Sequence, residues 1–136
     1  MNLVKWLEFP RRGDERGYIT VVESTRNIPF EINRVYYLSD LSVDFPRGFH
    51  AHKKLEQVAV CISGSCRVLL DNGQEKDWVM LDSSSKGIRI EPMVWHEMHD
   101  FSADCIFIVF ASDFYDESDY IRDYTDFLRC LNEFRV

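Results

Sequence analysis

Short runs of β-branched and aromatic residues, broken at close intervals by turn residues, dominate the chain. Such runs fall at residues 18–23, 34–39, 57–63, 66–71, 78–81, 88–91, 95–101 and 104–111. Each is too short for a buried helix and is bounded by Gly, Pro, Asp, Asn or Ser, which reads as a strand. Gly64-Ser65 reads as a tight hairpin turn, and Asp71-Asn72-Gly73 as the next. The run Ser83-Ser84-Ser85-Lys86-Gly87 is a loop, and Pro92 separates the two strands beside it. Many short strands at this spacing predict an all-β sandwich or barrel. Only the end changes period. Tyr120, Tyr124, Phe127, Leu128 and Leu131 recur at three or four, predicting a short amphipathic helix over 119–134, with Ser118 as its N-cap.

Composition narrows the class. With 136 residues, 46% of them hydrophobic and 14% aromatic, the chain reads as a single globular domain over 1–136. The net charge of −7 argues against a nucleic-acid partner, which needs a basic footprint. An anionic small ligand stays compatible if basic side chains converge locally. Residues 1–10 carry charges and no apolar signal core, and no run approaches the length of a membrane span, so a cytoplasmic protein without membrane contact is expected. Cys61, Cys66, Cys105 and Cys130 form no Cys-x-x-Cys pair, and three sit in strand-like runs. Buried free thiols fit them better than a disulfide frame or a zinc site.

Candidate chemistry gathers at residues 47–54, Arg-Gly-Phe-His-Ala-His-Lys-Lys, followed by Glu56 and, later, His96. Two histidines two apart on a strand share a face. Arg34 and Tyr36 likewise share one face of their strand, and Val35 and Tyr37 the other. A polar binding mouth would turn Arg34 and Tyr36 inward, an ordinary core would bury Val35 and Tyr37, and the pattern by itself favours neither. Arg47, Lys53 and Arg89 are candidate donors to a diphosphate, guanidinium pairing bidentately with phosphate. Lys54 reads better as solvated surface charge.

The order His-x-His-x3-Glu … His resembles that of cupin barrels. More specifically, IPFEINRVYYLSD at 28–40, RGFHAHKKLEQVAVCISG at 47–64, EPMVWHEMHDFSADC at 91–105 and YDESDYIRDYTDF at 115–127 resemble the sugar 3,4-ketoisomerases acting on dTDP-4-keto-6-deoxyglucose. The likeness runs from about residue 13 to 128. It implies a cupin jelly roll with a short C-terminal helix, and a homodimer whose N-terminal strands cross to the partner. It also implies an enzyme of nucleotide-sugar supply for surface polysaccharide, working without a cofactor or required metal. The keto group would move from C4 to C3 through an enediol. By that resemblance His50 is the base, His52 its partner in proton shuttling and Tyr36 a hydroxyl near the sugar. Arg34 then lies inside beside Tyr36, and His96 and Arg16 reach the substrate, Arg16 across the dimer. Arg16-Gly17 is similar to members delivering the galacto-configured product.

Three other readings remain open at this level. His50, His52, Glu56 and His96 would make a three-His, one-Glu site for iron or manganese in a metal-dependent cupin. A non-catalytic sugar-binding barrel would not need two histidines beside a tyrosine. Asp14-Glu15-Arg16-Gly17 is similar to an early motif of the dTDP-sugar 3,5-epimerases, while the 95–98 and 119–124 segments point elsewhere.

Overall fold

In a computed structural model, residues 3–134 are described. The strands are β1 (Trp6–Glu8), β2 (Arg11–Asp14), β3 (Gly17–Thr20), β4 (Arg34–Leu38), β5 (Arg47–His52) and β6 (Gln57–Ser63). They continue with β7 (Cys66–Asp71), β8 (Lys76–Leu81), β9 (Lys86–Ile90), β10 (Trp95–His99), β11 (Ile106–Ala111) and β12 (Tyr120–Ile121). One helix, α1 (Tyr124–Phe134), ends the fold. Two five-stranded antiparallel sheets, ordered β1-β9-β6-β11-β4 and β12-β5-β10-β7-β8, face one another; β2 and β3 pair only as a separate hairpin. This is the expected all-β jelly roll.

Period-two alternation places the core between the sheets. Ala59, Cys61, Ile88, Ile90, Phe107 and Val109 from the first sheet meet Val68, Leu70, Val79, Leu81 and Met98 from the second. Cys61, Cys66 and Cys105 are buried free thiols in this core, and Cys130 is half-buried on α1. The helix lays Phe127 and Leu131 against Ala51, Trp95 and Ile121. It therefore backs β5 and β10 on the face opposite His50, His52 and His96, bracing the two strands that carry them.

Two expectations need correction. Gly64-Ser65 joins strands that lie in different sheets, so it is a corner between layers and not a hairpin. Gly64 takes a positive φ of 68°, and a Cβ there would stand 2.2 Å from Ser102 Oγ, so the corner is too tight for a side chain. The true hairpin is β7–β8, whose Asp71-Asn72-Gly73 turn closes with the Gly73 N–H donating to Asp71 Oδ1 at 2.7 Å. The helix also begins later than its apolar spacing predicts. Asp116 caps a 3-10 turn over Glu117–Asp119, and Tyr120–Ile121 pair with β5. Asp123 then starts α1, its side chain accepting from the Asp126 N–H at 3.0 Å. Ser118 sits inside the 3-10 turn and caps nothing.

Candidate active site

The site is built where β5 meets β10. Their register shifts between His96 and Glu97, pairing His96 with His50 and Glu97 with Gly48, so Phe49 is an extra residue in β5. Gly48 and Phe49 both take positive φ, 94° and 58°. Phe49 is a bulky residue in the left-handed region, a strained conformation of the kind that sheet bulges place beside functional side chains. The bulge sets the start of the His50-Ala51-His52 alternation.

His50, His52 and His96 converge, with one ring nitrogen from each lying within 4.8 Å of the other two. His50 Nδ1 is 3.0 Å from the Gly48 carbonyl oxygen and His96 Nδ1 is 3.2 Å from that of Val94. A carbonyl accepts only, so both Nδ1 atoms carry protons and both Nε2 atoms are basic. These two Nε2 atoms face each other at 3.2 Å, a geometry that holds a proton between them well. Burial disfavours charge on all three rings. His50 is lowered from 6.5, mainly by desolvation and opposed by its bond to Gly48. His52 is lowered to about 4, first by burial and then by His50. His96 is pushed well below its ordinary value, again chiefly by burial. The resting cluster is therefore neutral near pH 7.

Arg34, Tyr36 and Leu38 point inward from β4, while Val35 and Tyr37 are exposed. Tyr36 Oη accepts from Gln57 Nε2 at 2.7 Å. That leaves the phenol proton free to donate into the cavity, and burial raises the Tyr36 pKa to about 12, so the proton stays on. These groups border a cavity of about 370 Å³ lined by Arg34, Tyr36, Arg47, His50, Tyr115 and Arg122, among others. Three arginines in a chain of net charge −7 make this a local basic mouth. Arg34 Nε is buried without a hydrogen-bond partner, its guanidinium lying near the Tyr36 and Tyr115 rings, and Arg47 has no carboxylate partner among the described residues. Arg122 is held by Glu117 at 2.7 and 2.9 Å.

Other sequence candidates lie elsewhere. Arg89 alternates with core-facing Ile88 and Ile90 and so turns to the outer face of its sheet, where it pairs with Glu56. Glu56 is thus held away from the histidines, and the three-His, one-Glu metal set is not assembled; three histidine nitrogens alone converge. Lys53 borders a different groove with Met93, Cys130 and Glu133. Arg16 is exposed on the β2–β3 hairpin and paired with Asp14 at 2.7 Å, outside this chain's own cavity. Sequence reasoning missed Gln57, Tyr115, Asp119 and Arg122, and placed Tyr120 on a helix stripe. The tight Asp/Tyr/Arg sequence after residue 112 was the available signal.

The chain matches the family model described as FdtA: WxcM-like, C-terminal, over residues 2–132. It is 55% identical over 127 residues to a TDP-4-oxo-6-deoxy-alpha-D-glucose-3,4-oxoisomerase of Aneurinibacillus thermoaerophilus, covering 93% of this chain and 91% of that one. Among solved structures it is similar to a 3,4-ketoisomerase from Helicobacter canadensis, at 45% identity and TM-score 0.92 over 96% of this chain and 98% of that one. It is also similar to a sugar 3,4-ketoisomerase from Thermoanaerobacterium thermosaccharolyticum in complex with TDP, at 39% identity and TM-score 0.94 over 98% and 97% of the two chains.

Proposed function

Because the chain belongs to the FdtA (WxcM-like, C-terminal) family, we propose that it is a sugar 3,4-ketoisomerase acting on dTDP-4-keto-6-deoxyglucose. One observation carries the reading beyond likeness: His50, backed by two buried neutral histidines, and the protonated Tyr36 open onto a single arginine-lined cavity.

The C4 ketone of the substrate acidifies the C3 proton. His50 lines the cavity while His52 and His96 are almost wholly buried, so His50 is the ring a sugar meets. Its bare Nε2 removes the C3 proton, forming an enediolate. The Tyr36 O–H donates to the developing oxyanion. The proton taken up is shared with the His96 Nε2 beside it, which stabilises the imidazolium that forms. The C3 hydroxyl proton passes to O4, moving the enediolate charge to O3. Return of the abstracted proton to C4 through the His50–His52 pair, whose rings meet edge to face at 4.9 Å, leaves a hydroxyl at C4 and the carbonyl at C3. Arg34, Arg47 and Arg122 supply charge for the diphosphate. No step calls for a metal or cofactor.

The protein works as a homodimer. Among the described residues the β2–β3 hairpin pairs only with itself and exposes Tyr18 and Ile19, at 60% and 63%, and the β4 edge exposes Val35 and Tyr37. Exchange of the hairpin covers these residues and brings Arg16 towards the partner's cavity. A fully active monomer in sedimentation at micromolar concentration refutes this. A cytoplasmic location fits a nucleotide-sugar substrate; within the described residues no helix is long and apolar enough to cross a membrane. Incubation with dTDP-4-keto-6-deoxyglucose, read by NMR, tests the activity. The 3-keto isomer is expected, with the galacto configuration at C4; recovery of unchanged substrate overturns the assignment.

A further inference from the structure

The structure assigns Asp119 a positioning role that we infer from its two-sided anchorage: its carboxylate fixes which ring nitrogen of His52 bears the proton. Asp119 closes the 3-10 turn next to β12. Its backbone carbonyl accepts from the Lys53 N–H at 3.0 Å, its Oδ1 from the Lys54 N–H at 2.8 Å and its Oδ2 from the Leu55 N–H at 3.2 Å. Three consecutive backbone amides anchor the residue, two of them on its carboxylate. The same Oδ2 stands 3.3 Å from His52 Nδ1. The contact is ion-pair close but not well aligned, and such pairs commonly tighten once substrate is bound.

Among the described residues no other side chain competes for His52. The ring is 2% exposed, and neither nitrogen has an aligned hydrogen bond. His50 meets it edge-on at 4.9 Å, His96 stacks at 6.0 Å, and Tyr120 abuts it at 4.3 Å. Arg34 faces the same space and opposes any positive charge on it. Of these neighbours only Asp119 offers an anion. A carboxylate accepts and never donates, so it selects the Nδ1–H tautomer and leaves Nε2 bare. A bare, oriented Nε2 is what a proton shuttle beside His50 requires, and this consequence rests on the ketoisomerase reading.

Asp119 and His52 border a separate cavity of about 80 Å³ that shares Arg34 and Tyr120 with the substrate cavity. Asp119 does not line the substrate cavity, so its loss separates chemistry from binding. The test is Asp119→Asn, with Asp119→Glu as the charge-preserving comparison. Long-range 15N–1H NMR reads the His52 tautomer with no turnover needed. Wild type is expected to show His52 as Nδ1–H, and Asp119→Asn to lose that preference. In turnover, kcat falls at least tenfold, the wrong-tautomer penalty reaching ~10⁴ in a buried Asp–His pair. KM stays within about twofold, and Asp119→Glu recovers part of kcat. An Nε2–H tautomer in wild type overturns the inference even if no variant folds. An unchanged tautomer or kcat in a folded Asp119→Asn protein overturns it as well. Because the NMR signature is independent of catalysis, wild type without isomerase activity but with the expected tautomer refutes the activity and leaves the positioning intact.

Discussion

Acidification should destabilise this protein well before its carboxylates titrate. The cause is the buried histidine cluster. His52 binds a proton at about pH 4 in the folded state against 6.5 ordinarily, so between those values the unfolded chain holds more protons. Stability therefore rises with pH across that window. It is complete above 6.5 and is lost as pH falls towards 4. Each unit of separation is worth about 1.4 kcal/mol, so the 1.5 units from 6.5 down to about pH 5 remove about 2 kcal/mol through His52 alone. His50 and His96, both lowered chiefly by burial, act in the same direction. Total stabilities of about 5–15 kcal/mol make such a loss easy to measure. Urea unfolding at about pH 7 and about pH 5, at fixed salt and protein concentration, measures it. His52→Asn is the control, since it should flatten the slope whatever its own stability. Equal midpoints at the two pH values, or an undiminished slope in His52→Asn, would show that the cluster is not held neutral by burial.

Four further outcomes concern the site and the core. His50→Asn should lower turnover by ~10²–10⁴-fold while preserving TDP affinity, because asparagine keeps much of the size but cannot act as a base; wild-type turnover and C3 exchange in deuterated water would remove His50 from the chemistry. His52→Asn should slow turnover yet spare that C3 exchange if the ring serves only protonation at C4, and NMR of the recovered substrate separates the two. Phe127 is fully buried between α1 and the β5–β10 pair, so Phe127→Ala should cost about 3–5 kcal/mol and lower Tm without touching a cavity residue. Prolonged chelation should leave activity intact, and a stoichiometric transition metal whose removal abolishes turnover would promote the metal-dependent reading.

The sequence by itself determined the strand character of the chain and the core of the site. The run 57–63 and the run 66–71 match β6 and β7 residue for residue, since both are short, largely apolar segments bounded by turn residues. The convergence of His50, His52 and His96 was also legible, because two residues apart on a strand means one face and the order of the third matched a known pattern. Tertiary structure decided the rest. Alternation in β4 is symmetric between two half-apolar faces, and only its place at the edge of its sheet, over the barrel mouth, turns Arg34 and Tyr36 inward. Arg89 and Glu56 looked like site residues by type, but the parity of β9 against the core turns Arg89 outward to meet Glu56. Periodicity ran the helix back through Tyr120, whereas pairing of Tyr120 with His52 in β5 claims it for the sheet and delivers Asp119 to the buried histidine. The physical reason is common to all three: local spacing fixes which residues share a face, but which face becomes the inside depends on neighbours distant in sequence.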